Sequence, residues 1–337
     1  MNTIQVTGQV ISSTNYTTNR LFNFSPQLIR EAAENFLASG ITEIEIPQGV
    51  LDPDNKNPDT GVHEETIQET IAGLPGQTRV LGTYIGGGGL GDDNDAFVAT
   101  QSRSIENLCR YFPDMTYGML HPAGKDQGDP DKIKKVVEGY AMLAEKATAI
   151  RGGFQLTFHN HFDSSGESAE QVRAYLAAIA EANLPSLRWG VDIGHCHGMG
   201  DDYLDVLDEY AHLVGDFFHI KARVPAFDQL HGGDAYRADR DIWGNEAEFG
   251  SGLYSGFVNA ADPEMETPFA DVFRILREKA TPTSGVCRGA MEIDIPRQHP
   301  RLEIMCTTLY LKNVHGVESA MALSNDEIVA GVFGTGG

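Results

Sequence analysis

Phe154-Gln-Leu-Thr-Phe-His159-Asn-His161 is a short apolar run that ends in metal-binding side chains, and three further runs share its form. They are Trp189-Gly-Val-Asp192-Ile-Gly-His195, Phe217-Phe-His219-Ile-Lys221 and Ala290-Met-Glu292-Ile-Asp294. Successive side chains of a strand point to opposite faces. As strands, these runs put His159 with His161, His219 with Lys221, and Glu292 with Asp294 on one face, and bulky apolar residues on the other. Polar groups turned inward at the ends of successive strands describe the mouth of a barrel.

Working outward, helical and strand patterns alternate. Ser25-Pro26 caps a helix to about residue 38, with proline at the first helical position, where its missing N–H costs nothing. Ile41–Ile46 alternates with period two and places Glu43 and Glu45 on one side. A helix near 64–73, a strand at 79–85, a helix over 94–111 and a strand at 116–120 follow. Asp129-Pro130 opens the next helix, Ser168 with Gln171 forms a capping box for another, a further helix is expected near 201–213, and Thr267-Pro268 opens one more before a closing helix near 300–312. With the opening Ile4–Ile11 segment this makes about eight β units, most followed by a helix. That number closes into a (β/α)8 TIM barrel, with the doubly wound open sheet as competitor. The reading is a single domain over 1–337 with a long loop insertion at about 222–266, whose aromatic content suits a lid or a subunit contact. Gly86–Gly91 contains the spacing G-x-G-x-x-G, but neither the first-strand context nor a Gly-Lys-Ser/Thr follows, so a mobile loop is expected there rather than a dinucleotide site.

The chain has 337 residues, with 25 Lys and Arg against 48 Asp and Glu, and a formal charge of −23. A surface of that sign excludes nucleic acid and anionic membranes as partners. Four dispersed cysteines form no C-x-x-C pair, which points to reduced thiols. The N-terminal stretch lacks the features of a signal peptide and no 18-residue apolar span occurs, so the expected location is cytoplasmic.

Seven of the eleven histidines fall between 159 and 231. His159, Asp192, His219 and Glu292 are the candidate ligands of one divalent metal. Two imidazoles and two carboxylates without thiolate favour Mn(II), Mg(II), Co(II) or Fe(II) over structural zinc.

These segments resemble the xylose-isomerase-like barrels, the sugar phosphate isomerase/epimerase superfamily. Val191-Asp192-Ile-Gly-His195 is similar to that group's V-D-x-G-H strand end, which implies a metal ligand at Asp192 and a substrate contact at His195. Phe218-His219-Ile-Lys221 resembles its H-x-K strand, and Met291-Glu292-Ile-Asp294 its last-strand Glu ligand. Phe158-His159-Asn-His161 looks like the Y-H-N-H strand of inosose-dehydratase-like members. One departure bears on the reaction: sugar epimerases of this group carry a Glu ligand on the fifth strand and use a pair of Glu residues as acid and base. Here that strand has His159, and no Glu precedes Glu167.

A single base, His161, suits proton abstraction next to a carbonyl followed by β-elimination. The resemblance then extends to 3-oxo-glycoside lyases and the α-subunit of bacterial C-glycoside deglycosidases, which implies a 3-oxo-sugar or glycoside substrate, Mn(II) and a small β-subunit, within an oligomer. Sugar or keto-sugar isomerisation or epimerisation is the alternative, and a non-catalytic scaffold subunit a third; the retained inward ligands argue against the last. Lys221 is the second candidate catalytic residue, as a charge partner of the reacting oxygen. Arg223 is a candidate substrate contact, and His197 and Asn160 are supporting groups. Glu43 and Glu45, on an inward face, read first as a salt bridge at the barrel floor, with substrate orientation as the alternative.

Overall fold

The computed structural model describes residues 1–10, 25–47, 64–86, 89–120, 122, 129–161, 164–221, 267–292 and 299–334. Eight strands follow one another as β1 (Thr3–Gln9), β2 (Glu43–Pro47), β3 (Arg79–Ile85), β4 (Tyr117–Leu120), β5 (Gln155–Phe158), β6 (Leu187–Trp189), β7 (Phe217–Ile220) and β8 (Val286–Met291). Every pairing is parallel, in the order β6-β5-β4-β3-β2-β1-β8-β7. The remaining seam, between β6 and β7, is held by two parallel bridges, Trp189 with Val214 and Asp192 with His219. The sheet therefore rolls into an almost closed eight-stranded barrel with helices between the strands, as the alternation of the sequence predicts.

The helices start where local chemistry says they should. Ser25 accepts from the Leu28 N–H at 3.2 Å and opens α1 (Pro26–Leu37). Next come α2 (Glu64–Gly73) and α3 (Asn94–Tyr111). Asp129 caps α4 (Pro130–Ile150), and Ser168 with Gln171 forms the full capping box of α5 (Ala169–Ala182). Such caps satisfy the N–H groups that a first helical turn leaves orphaned. The region near 201–213 is more broken than a single helix. A 3-10 stretch, His195–Asp202, leads into α6 (Tyr203–Tyr210), and another 3-10 turn covers Ala211–Leu213. Helix α7 (Phe269–Lys279) begins beyond Thr267-Pro268 without a side-chain cap. Helix α8 (Pro300–His315) runs three residues past its expected end, to a Gly316 in the left-handed region. A two-residue strand, β9 (Glu318–Ser319), and α9 (Asn325–Phe333) complete the described chain.

Strand alternation sorts the side chains. Leu156 and Phe158 point outward into the strand–helix core, where the Phe158 ring stacks on Tyr175 at 4.8 Å. Burial of each such side chain contributes about 1.5–3 kcal/mol. Inside the barrel Leu81, Tyr117, Met119 and Phe217 form a separate apolar cluster, with Tyr117 stacked on Phe217 at 3.7 Å. Below it, Glu43 is paired with Arg79 and Arg288, the latter at 3.0 Å, and accepts from Gln5. The floor ion pair expected of Glu43 is thus present. Glu45 does something else, described below. The expected loop at about 222–266 lies outside the described residues, as do Arg223, Asp294, part of the glycine-rich segment 86–91, and the side chain of His197. No helix among the described residues is long and apolar enough to cross a membrane.

Candidate metal centre

The candidate residues sit at or just past the C-terminal ends of β5 to β8, the end at which barrels of this type assemble loops and sites. His159, Asp192, His219, His195 and Lys221 are all buried, Glu292 is 9% exposed, and His161 is half-buried. One ligand atom from each of His159, Asp192 and His219 lies within 4.8 Å of the others, and the same holds for one ring nitrogen from each of His159, His161 and His195. Four segments that are distant in sequence converge because each strand has the same register of polar-inward residues.

His159 directs one nitrogen at the backbone. Its Nδ1 lies 3.2 Å from the Gly190 carbonyl oxygen. Burial, reinforced by the charge of His219, holds His159 well below the ordinary imidazole value, so the ring is neutral. A neutral ring that donates from Nδ1 keeps its lone pair on Nε2, and Nε2 lies 3.6 Å from Asp192 Oδ2. That oxygen is fully buried and accepts no hydrogen bond, whereas its twin Oδ1 takes the His195 N–H at 2.9 Å. Two acceptors facing each other in a buried site form a receptor for a cation. Burial alone would raise the pKa of Asp192, but Lys221, His195 and His219 hold it well below the usual carboxylate range. Asp192 is therefore ionised.

His219 completes the ring of donors. Its Nδ1 is 2.7 Å from Glu292 Oε2 and 3.6 Å from Asp192 Oδ2. Its Nε2 is 3.3 Å from Glu45 Oε2. Burial lowers its pKa, yet Glu45 and Glu292 overcome that and push it well above the usual value. Glu292 is likewise held below the carboxylate range, since Lys221 and His219 outweigh its burial. Imidazole nitrogen and carboxylate oxygen around an ionised Oδ2 that accepts no hydrogen bond is a donor set suited to a divalent cation, and His159, Asp192, His219 and Glu292 are the residues placed to hold it.

Lys221 and His195 close one side. The Lys221 ammonium lies 3.3 Å from Glu292 Oε2 and 3.6 Å from Asp192 Oδ2, and approaches His195 Nε2 at 3.2 Å. Burial and the Lys221 charge keep His195 well below the usual imidazole value, so Nε2 accepts from the ammonium. Room for the lysine stem comes from Gly194, where a Cβ would fall 2.5 Å from Lys221 Cγ. The rings of His161 and His195 are 4.0 Å apart, so His161 lies on the same side and nearer to solvent.

Two supporting residues are more deeply involved than sequence alone suggests. Asn160, buried beside the imidazoles, accepts from Trp189 Nε1 at 3.1 Å and from the Asp192 N–H at 3.0 Å, and donates to the Asp192 carbonyl at 3.1 Å. It ties β5 to the segment that carries Asp192. Glu45 accepts from the Tyr117 hydroxyl at 2.8 Å and from Gln9, besides facing His219. Its inward phase on β2 is legible in the sequence; that it sits a full layer above Glu43, beneath His219, depends on the register of the closed barrel.

No family model matches the chain, and no curated protein sequence matches it. Solved structures do. The chain is similar to the IolI protein with a bound zinc atom, at 14% identity and a TM-score of 0.58 over 98% of this chain and 100% of that one. It is similar to a probable 3-DHS dehydratase, AsbF, involved in petrobactin synthesis in Bacillus anthracis, at 12% identity and a TM-score of 0.55 over 93% and 100%. It is also similar to the 3-keto-D-glucoside 4-epimerase YcjR of E. coli, at 15% identity and a TM-score of 0.51 over 89% and 97%. Likeness at this level of identity establishes the architecture alone, a TIM barrel like that of the solved xylose-isomerase-like structures.

Proposed function

We propose that this chain is a divalent-metal-dependent lyase acting on a 3-oxo-sugar or 3-oxo-glycoside, in the manner of a C-glycoside deglycosidase α-subunit, with Mn(II) as the metal. A cation held by His159, Asp192, His219 and Glu292 would supply Lewis acidity to a substrate carbonyl oxygen. The observation that carries the reading is the asymmetry of the imidazole cluster. His159, His195 and His219 are sealed in, and among the described imidazoles of the cluster His161 alone is half-buried.

His161 is the base. It removes the proton from the carbon next to the carbonyl, and the electron pair moves into the carbonyl system. The bond to the leaving group one carbon further on then breaks, and the protonated His161 returns its proton to the departing oxygen or carbon. Lys221 adds positive charge beside the same region, and His195, its Nε2 engaged by that ammonium, offers its ring to a substrate hydroxyl. Arg223, a small β-subunit and assembly into an oligomer belong to this proposal on the strength of the sequence resemblance alone.

Isomerisation or epimerisation of a sugar or keto-sugar is the second reading, supported by the structural likeness to a 3-keto-D-glucoside 4-epimerase; the likeness to a probable dehydratase supports the elimination. Epimerisation requires acid and base on opposite faces of one carbon, whereas His161 and His195 stand side by side at 4.0 Å. The test is incubation of the Mn(II)-supplied protein in deuterated water with ketoses, 3-oxo-O-glycosides and 3-oxo-C-glycosides, with and without a small partner subunit. Deuterium exchange with aglycone release is the expected result. A rearranged sugar with no bond cleaved would replace the lyase reading by the isomerase.

A further inference from the structure

We infer that Glu45 is a positioning residue for the candidate metal centre: it accepts the Nε2–H of His219, so that Nδ1, which faces Asp192 and Glu292, is the nitrogen that gives up its proton to a cation. The inference rests on the metal reading above and assigns a role to a residue on the far side of the barrel.

The geometry runs in one line. Glu45 is 1% exposed, and its Oε2 lies 3.3 Å from His219 Nε2, on the opposite edge of the ring from Glu292 and Asp192. Its other contacts fix it there. The Tyr117 hydroxyl donates to the same Oε2 at 2.8 Å, and Gln9 donates to Oε1. Tyr117 in turn reaches Glu45 across β3 because Gly82 has no side chain: a Cβ there would fall 2.0 Å from Tyr117 Cζ. Both Tyr117 and Gln9 are donors to Glu45, so the carboxylate can offer His219 only an acceptor. A histidine that must present Nδ1 to a cation needs its proton on Nε2, and a fixed acceptor behind Nε2 selects that tautomer. Glu43, two residues earlier on the same face, is committed instead to Arg79 and Arg288 and serves the floor.

The contrast between these two glutamates supplies the experiment. Mn(II) binding is measured by titration calorimetry for the wild type, Glu45→Gln, Glu43→Gln and Tyr117→Phe, together with thermal unfolding of each metal-free protein. An amide can turn its NH2 toward Nε2 and reverse the tautomer, so Glu45→Gln is expected to weaken Mn(II) binding by roughly 10- to 100-fold. Tyr117→Phe, which removes one hydroxyl from the Glu45 cage, should weaken it less, and Glu43→Gln should lower the unfolding temperature with affinity unchanged. Unchanged affinity in Glu45→Gln, or equal losses in Glu45→Gln and Glu43→Gln, would overturn the assignment. If Glu45→Gln does not fold, the affinity of Tyr117→Phe decides in the same way. A wild type that binds no Mn(II) defeats the metal reading and, with it, the role of Glu45 toward a metal; what it leaves open is the hold of Glu45 on His219 Nε2. The positioning is then read in proton NMR, where metal-free wild type should show an exchange-protected Nε2–H of His219 that shifts in Tyr117→Phe. Absence of that resonance would overturn it.

Discussion

Asp192 and His219 meet across the seam where the barrel closes, joined by a backbone bridge and by the 3.6 Å approach of Oδ2 to Nδ1. The His219 N–H donates to the Val191 carbonyl at 2.9 Å, and the Ile193 N–H to the His219 carbonyl at 3.3 Å. The contact that completes the cylinder is thus also a contact between two candidate ligands. Fold and site share one structural requirement: β6 and β7 must be in register.

Asn160 holds that register from the β5 side. Asn160→Ala would leave the Trp189 indole N–H and the Asp192 N–H without that buried acceptor, while the Asp192 carbonyl would keep only the Cys196 thiol at 3.0 Å. Each such loss costs about 1–3 kcal/mol. We expect a large drop in the unfolding temperature together with weakened metal binding. Retention of both would show that the amide is dispensable.

Gly194→Ala tests the space reserved for Lys221. The added methyl would meet the lysine stem at Cβ, Cγ and Cδ, and overpacking of this kind costs about 1–3 kcal/mol. The ammonium should shift from Glu292 and Asp192, and turnover should fall further than stability alone explains. A kinetic comparison at a temperature where both proteins are fully folded checks this; equal turnover would remove Lys221 from the chemistry.

Much of the fold and of the site is legible in the sequence. Side-chain alternation puts His159, His219 and Glu292 on the inward faces of their strands, the resemblance adds Asp192, and Ser25, Asp129 and Ser168 mark their helices through local hydrogen bonds. Period-two reasoning cannot supply the height of a residue in the barrel, because that depends on strand stagger. Glu43 and Glu45 share a face, yet one pairs with Arg288 at the floor and the other with His219 in the site. The break of 201–213 into 3-10 and α-helical pieces is equally hidden, and the pairing of β9 with β1 is a tertiary contact that two residues cannot announce.

Metal affinity should rise with pH. Burial lowers the pKa of His219, but Glu45 and Glu292 more than reverse this, and it stands well above 6.5. A raised value means that the protonated ring stabilises the metal-free fold fully below pH 6.5, and that this contribution is lost as pH climbs through the folded-state value. A cation must displace the same proton, so binding strengthens over that window. Titrations at a series of pH values above 6.5 check this; a flat profile would mean that His219 is not a ligand.

His161→Ala separates chemistry from assembly. The half-buried side chain is outside the proposed ligand set, so metal content and unfolding temperature should stay near those of the wild type. Exchange of the substrate's carbon-bound proton should fall by roughly 10²- to 10⁴-fold, the usual contribution of a positioned general base. Wild-type exchange in this variant would transfer the role to another group.

The most direct measurement is anomalous diffraction from crystals soaked in Mn(II), with metal analysis of the same protein in solution. The account predicts one tightly held ion bonded to His159 Nε2, Asp192 Oδ2, His219 Nδ1 and Glu292, lost in Asp192→Asn. An absence of anomalous density among those four side chains at saturating Mn(II), or an ion that persists unchanged in Asp192→Asn, would contradict it.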